Sequence, residues 1–313
     1  MLTIAICTYN NADRLPRLIA ELRKQRCPIP FEILVVDNNS SDTTQMVIDN
    51  LKTIDGPPLR SVVEKKQGIP FARNRAIEES LESKYLFFID DDELPQPGWL
   101  SSAVSLFHKE HAQCVGGRIQ CVFDPVKRPH WLEDELLGFL GEVDHGPVTF
   151  SIKDKTTPIW SGNIAYDVSV FNPPSQYRFD ARYNRKGKGI GGGSDAVMFH
   201  TFLKDGIKML YCPEMIINHY IEPWRLKRRY FLKLHFNTGR KFGQYQSGFF
   251  PKTVLGVPFF MISQAGSHLL KTIALYLKKD KKTMRQAMNV SHAVGMIYGR
   301  FLMWKEKELF HDI

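Results

Sequence analysis

The stretch "LTIAICTYNNADRLPRLIAELRKQRCPIPFEILVVD", Leu2 to Asp37, decides the fold. It opens with LTIAIC (2–7), a short apolar run of strand-forming residues. Across 12–25, Leu15, Leu18, Ile19 and Leu22 recur at helical spacing. FEILVVD (31–37) is a second apolar run. Strand, helix and strand in succession predict a parallel pair joined by a crossover helix.

The same alternation continues outward. Capping-type residues open a helix over 41–51, and a third strand follows at 59–64. Ala72, Ala76, Ile77 and Leu81 give 69–81 a helical face. A fourth strand spans 84–90, and Pro97 sits near the first turn of a helix over 97–111. Strands alternating with helices imply an α/β fold with a mostly parallel sheet covered on both faces. In such sheets ligands bind beyond the carboxyl ends of the strands. That rule places Thr8–Asn10, Asp37–Asn39, Glu64–Gly68 and Asp90–Glu93 on one rim. Beyond Gln113 the pattern loosens. A strand is expected at 114–123, a strand and turn at 158–171, a glycine-rich loop at 187–195, and two short strands at 208–221. A basic helix over 222–243 and helices over 255–279 and 283–309 complete the chain, which predicts a helical C-terminal extension. The domains expected are 1–221 and 222–313.

Within that frame, five groups of residues could carry chemistry. Asp90-Asp91-Asp92 ends a buried strand, and adjacent carboxylates repel unless a cation or donor network compensates. Oxygen ligands suit Mg²⁺ or Mn²⁺. Alternation along an extended chain sends Asp90 and Asp92 to one side and Asp91 to the other. A solvated acidic turn is the competing reading. Tyr9 and Asp37 follow the first two strands, where a ring and a carboxylate could meet a base or ribose, while nearby Asn and Ser also suit helix caps. Arg73 and Arg75 lie early in a helix whose N-terminus favours anions. The stretch GKGIGGGSD (187–195) spells a dinucleotide-type glycine pattern but lacks the preceding strand, so it reads as a lid delivering Asp195, a base or a helix cap. His219 follows an apolar run. It is a packing residue unless it reaches the aspartates, since imidazole also binds Mn²⁺.

Taken in order, TIAICTYNNADRLPRLIAEL, FEILVVDNNSSDTT, GIPFARNRAI, YLFFIDDDELPQPGWL, IWSGNIAYDVSVF and GGGSDAVMFHTFLKDGIKMLYCPEMIINHY resemble family 2 glycosyltransferases over about 2–221. The resemblance implies the GT-A (Rossmann-like) fold and inverting transfer from a nucleotide-sugar donor, a UDP-sugar first among them. It implies that Thr8, Tyr9, Asp37, Arg73, Asp90 and Asp91 hold the donor. Asp92 and Asp90, with His219 as a further candidate, would bind Mn²⁺ or Mg²⁺ through the DxD motif. Asp195 would be the general base, and Trp160, Gly162 and Asn163 would line the acceptor side. Ser194-Asp195 departs from the family's usual Glu-Asp pair, so the base survives while a supporting carboxylate is lost. The processive Gln-x-x-Arg-Trp signature is not spelled out.

The C-terminal third has a different electrical character. Of the net +9, residues 221–313 carry 17 Lys+Arg against 5 Asp+Glu, a balance of +12 that leaves −3 for the first 220. That asymmetry favours an anionic membrane surface, with Phe249, Phe250, Phe259, Phe260 and Trp304 as anchors or as packing residues. No zinc-finger, RRM or basic-zipper spelling supports a nucleic acid partner. The five cysteines form no CxxC pair, there is no signal-type N-terminus, and no long uncharged apolar run appears. The expected setting is cytoplasmic, peripheral on the inner face of the plasma membrane. The expected role is polysaccharide synthesis on a glycan or lipid-linked acceptor. The alternative is a non-catalytic nucleotide-sugar binding or assembly protein of the same fold.

Overall fold

The computed structural model describes residues 1–184, 190 and 192–311, with side chains to 306. The chain divides into two compact units. The first comprises Met1–Asp124, Gly141–Gly187 and Gly193–Tyr220. The second comprises Pro125–Leu140, Lys188–Gly192 and Ile221–Ile313.

The first unit is built on a sheet. Its opening elements are β1 (Leu2–Thr8), α1 (Leu15–Arg23), β2 (Phe31–Asp37), α2 (Thr44–Lys52), β3 (Leu59–Val63), α3 (Ile69–Glu78) and β4 (Tyr85–Asp90). β5 (Glu93–Pro95), α4 (Trp99–Glu110), β6 (Cys114–Val122), β7 (Phe150–Ser151), β8 (Asn163–Asp167), α5 (Ser194–Lys204) and β9 (Met209–Tyr220) follow. The strand order is β3-β2-β1-β4-β8-β6-β9-β5, with β7 on β9. The quartet β3-β2-β1-β4 is parallel throughout. β8 runs antiparallel between β4 and β6.

Every residue of β1 is buried, as a central strand covered on both faces requires. α1 packs its predicted stripe of Leu15, Leu18, Ile19 and Leu22 inward. Truncating any one of these to Ala removes a side chain worth about 2–5 kcal/mol in such a core. Because the quartet is in register, Thr8, Asp37 and Asp90 all fall at the same end of their strands.

The two short strands expected at 208–221 are instead one strand, β9. Its pairing with β6 jumps from Gly117↔Cys212 to Arg118↔Ile216. Pro213, which has no N–H for the ladder, sits in the bulge. The strand therefore bends without ending and carries His219 to the rim, opposite Glu93 of β5.

The second unit is helical: α6 (Arg228–Lys241), α7 (Phe259–Leu277) and α8 (Thr283–His311). The basic helix expected over 222–243 starts later, after a 3₁₀ turn at Pro223–Leu226. Glycines set how closely α6 and α8 approach. Gly239 of α6 and Gly243 of the π-helical turn that follows it (Phe242–Gln246) are four residues apart, and Gly295 and Gly299 share one face of α8. A Cβ on Gly239 would stand 2.0 Å from the His292 carbonyl, and one on Gly299 would stand 2.0 Å from the Arg240 carbonyl. The segment 125–140 joins this unit through rings. Trp131 packs edge-on to Phe231, and Phe139 packs on His235 beneath the Arg285 guanidinium.

Candidate active site

The three aspartates at the end of β4 part company. Asp91 turns toward the end of β1, where it accepts from the Thr8 hydroxyl at 2.6 Å and the Asn11 amide at 2.8 Å. Arg14 lies 3.6 Å from Asp91 and 3.8 Å from Asp92. Asp90 and Asp92 face the other way and converge with Glu93, one oxygen of each lying within 4.8 Å of the others. His219 reaches this cluster, with Nε2 3.4 Å from Asp92 Oδ2. The competing reading of His219 as a packing residue also has support, because its side chain is buried.

These acids are crowded, with Glu93 buried and the other three half-buried. Burial, then the neighbouring Asp92, pushes the Asp91 carboxyl up to about 6, against the pull of its Thr8 and Asn11 donors. Burial, then Asp90 and Asp92, holds Glu93 well above the usual carboxylate range. An oxygen donor set carrying excess negative charge fits a hard divalent cation. Asp90, Asp92 and Glu93, with His219 beside them, are the groups that could hold one.

Glu93, at the start of β5, has two tasks. Its Oε2 accepts from the Asp90 backbone N–H at 2.9 Å. Its Oε1 lies 2.5 Å from where a Cβ on Gly162 would be. The glycine of IWSGN therefore lets this turn close directly over a carboxylate.

Arg73 links the two halves of the site. Its guanidinium donates to Asp90 Oδ1 at 3.1 Å and to Asp195 Oδ1 at 2.5 Å. It is buried, with the Phe179 ring 5.6 Å away. Burial opposes its charge, yet Asp195 and Asp90 more than offset that and hold its pKa above the ordinary value. The sequence reading put Arg73 on the base and ribose, whereas here both its terminal nitrogens are engaged by carboxylates.

Asp195 occupies the first turn of α5, where a helix N-terminus favours a carboxylate. Its Oδ1 also accepts from Ser161 Oγ at 3.0 Å. Its Oδ2 has no protein partner among the described residues, and the side chain is 28% exposed. One oxygen is thus fixed and the other open. Residues 187–189 and 191 of the expected lid lie outside the described residues.

Several expected contacts are redirected. Thr8, expected on the donor, is buried and spends its hydroxyl on Asp91. Asp91, expected on the donor, is a tie between β1 and β4. Asn163, expected to line the acceptor side, is fully buried. Its carbonyl accepts from the Trp99 indole at 2.7 Å, and its amide donates to the Arg118 and Met215 carbonyls. Both amide hydrogens of Asn163 and its side-chain oxygen are engaged inside the protein, so it frames the turn. Trp160 and Tyr9 are half-buried. Asp37 is buried and accepts from the Ser40 N–H at 2.9 Å.

Asn11, Arg14, Asn38, Ser161 and Glu93 were not singled out from sequence. Asn38 donates to the Glu64 and Lys66 carbonyls and accepts from the Gly68 N–H, tying two strand-end loops together. Ser161 and Glu93 stood inside quoted motifs, where adjacency was the one available signal. Arg14 offered none, because its partners are distant in sequence.

Known proteins supply the context for this geometry. The model of glycosyl transferase family 2 matches residues 3–173. Glycosyltransferase AglE of Haloferax volcanii is 30% identical over 122 residues, 39% of this chain and 40% of that protein. The succinoglycan biosynthesis protein ExoM of Rhizobium meliloti is 22% identical over 246 residues, 77% of this chain and 74% of its own. The fold resembles that of the Pyrobaculum calidifontis mannosyltransferase PcManGT, solved with GDP-Man and Mn²⁺ (TM-score 0.59, 16% identity, 95% of this chain and 87% of that one). It also resembles TarS 1–349 of S. aureus, solved with UDP-GlcNAc (TM-score 0.56, 13% identity, 95% and 90%). These likenesses identify the fold as GT-A. With the family model covering more than half of the sequence, the chain belongs to glycosyl transferase family 2.

Proposed function

We propose that this enzyme transfers a sugar, with inversion, from a nucleoside-diphosphate donor to a hydroxyl of a glycan or lipid-linked acceptor in cell-surface polysaccharide or glycoconjugate synthesis. A UDP-sugar is the first donor to test, and the basic helical third meets an anionic membrane face. The single observation that carries the reading is Arg73, one buried guanidinium joining the carboxylate that ends β4 to the carboxylate that opens α5.

The chemistry follows from what each side chain can do. Asp195 Oδ2 receives the acceptor's hydroxyl proton. The acceptor oxygen then bonds to the anomeric carbon from the face opposite the diphosphate. The bond from that carbon to the diphosphate oxygen breaks, and its electron pair leaves with the diphosphate. Arg73 and Ser161 hold Oδ1, so the carboxylate is oriented before the acceptor arrives. Glu93 fixes the Asp90 backbone and supports the Gly162 turn. Asp90 and Asp92 would hold a divalent cation, which would supply positive charge for the leaving diphosphate. Tyr9 and Asp37, following β1 and ending β2 on the same rim, are the candidates to meet the base and ribose. The PcManGT and TarS complexes, which contain GDP-Man and UDP-GlcNAc, make nucleotide sugars the donor class to screen.

The test is a donor screen with Mn²⁺ and Mg²⁺ that reads nucleoside diphosphate release, with acceptor glycans present. Asp195→Asn is expected to lower turnover by roughly 10³-fold while donor affinity stays within about threefold, as loss of a general base requires. Release from no donor with either cation, or full turnover in Asp195→Asn, would sink this reading.

A further inference from the structure

α7 is the least covered helix of the chain. Of its 19 residues Met261 alone is fully buried. Ala265, His268, Thr272 and Leu275 continue that stripe as half-buried positions, and the Gln286 amide of α8 contacts His268 Nδ1 at 3.0 Å. This stripe holds α7 on α8. A second stripe points elsewhere. Ile262, Leu269, Leu270, Ile273, Tyr276 and Leu277 fall within a third of a turn of one another at about 100° per residue. All six are exposed, Leu270 by 70%, Tyr276 by 71% and Leu277 by 75%. Ser263, Gln264, Ser267 and Lys271 occupy the remaining arc.

Charge says what covers the apolar stripe. α7 contains no Asp or Glu. Lys278, Lys279, Lys281 and Lys282 crowd its C-terminal end, with Asp280 as the one acid among them. Asp280 is turned to local use, accepting from the Lys282 backbone N–H at 2.8 Å. A second copy paired in parallel along α7 would bring the same lysines together and be repelled, and one paired antiparallel would set them against an N-terminal turn that holds no acid. An anionic headgroup layer over hydrocarbon satisfies both features, since long lysine stems reach headgroups while the apolar stripe enters the acyl boundary. No helix among the described residues is long and apolar enough to cross a membrane. At about 28 Å, α7 suits lying in the interface plane.

Building on the membrane-facing reading of the basic third, we propose that α7 is its docking element. The face of Leu269, Leu270, Ile273, Tyr276 and Leu277 enters an anionic bilayer surface, and Lys278–Lys282 meet the headgroups. This sorts the aromatic residues named from sequence. Phe250 packs on Phe260 beneath Arg300, and Trp304 packs on Phe301, so both are half-buried in contacts within the unit. Phe249 and Phe259, exposed by 87% and 65%, lie before and at the start of α7 and stay available.

The experiment is co-flotation of the full chain with vesicles of phosphatidylcholine alone or with about one-third phosphatidylglycerol, beside sedimentation velocity without lipid. The double variant Leu270→Ser/Ile273→Ser leaves the packing stripe intact. Wild type is expected to float with anionic vesicles and to release as salt is raised. The variant is expected to bind at least about tenfold more weakly, because it removes two large apolar side chains from the inserting face. Its far-ultraviolet dichroism and its nucleoside diphosphate release from the soluble donor should match wild type. Equal vesicle binding by wild type and variant would overturn the proposal. So would a wild-type dimer that the variant dissolves while neither binds vesicles. Vesicle binding without any donor turnover would defeat the catalytic reading alone, and turnover without vesicle binding would defeat the docking alone.

Discussion

The rim of the first unit and the helices of the second are stabilised by opposite means. At the rim, charges are matched around a buried guanidinium: Arg73 against Asp90 and Asp195, and beside it Asp91 against Thr8, Asn11 and Arg14. In the helical unit, backbones touch through glycines, and large apolar side chains are left outside. A buried charge network specifies positions to a fraction of an ångström and fails badly when one member is lost. A glycine seam tolerates no added atom but makes no demand on charge. Precise geometry at the rim suits catalysis, and a uniform apolar face suits a partner without fixed structure.

The largest effect that would break the contrast is at Arg73. Arg73→Met leaves Asp90 and Asp195 facing each other without their shared counter-charge. It is expected to destabilise the first unit by about 3–5 kcal/mol and to remove activity, read by urea unfolding and donor turnover. Arg73→Lys should restore little, because one ammonium cannot hold both carboxylates as a planar fork does. Near-wild-type stability in Arg73→Met would show that the rim does not depend on the pair.

Next come two glycines, one in each unit. Gly299→Ala places a Cβ against the Arg240 carbonyl and should cost about 2–3 kcal/mol, measured by thermal unfolding. Gly162→Ala places a Cβ against Glu93, a movable carboxylate rather than backbone, and should cost about 1–2 kcal/mol. Its loss in turnover should exceed its loss in stability, because the displaced carboxylate also holds Asp90. A larger stability cost at Gly162 than at Gly299 would reverse the comparison.

Acid should act on the two units with opposite signs. Burial, then Asp92, raises Asp91 to about 6, so its contribution is fully present below the unfolded value near 3.8 and is lost as pH rises through about 6. Burial, against its hydrogen bond to the Phe231 carbonyl, lowers His235 to about 4. Its contribution is present above 6.5 and is lost as pH falls toward 4. Hydrogen exchange between pH 7 and 5, corrected for intrinsic rates, should show α6 and α8 losing protection by up to about tenfold, while the end of β4 gains. Parallel loss in both units would contradict this. Smallest of all, Leu270→Ser should change stability by less than about 0.5 kcal/mol, since its side chain is 70% exposed in the free protein.

The parallel quartet was legible because its apolar runs and helical stripes are local patterns. Leu15, Leu18, Ile19 and Leu22 name their own face, and strand ends name a rim. The separation of Asp91 from Asp90 and Asp92 was legible for the same reason, as alternation along an extended chain. The roles of Thr8 and Asn163 were not. Each looked free to meet a ligand, and each is consumed by a residue far along the chain, Asp91 and Trp99 respectively. The unbroken strand β9 was missed because Pro213 reads as a stop, while a bulge against β6 absorbs it.

By itself, then, the sequence determined the α/β alternation, the rim where polar residues collect and the basic character of the last third. Each depends on composition or on periods of two and 3.6 residues. Only the tertiary structure decided that Arg73 joins Asp90 to Asp195, that Glu93 lies beneath Gly162, and that one stripe of α7 packs while the next stays bare. Those are contacts between residues tens to more than a hundred positions apart, or the choice of which apolar face finds cover. No local pattern encodes either, because the decision rests with whatever the rest of the chain brings alongside.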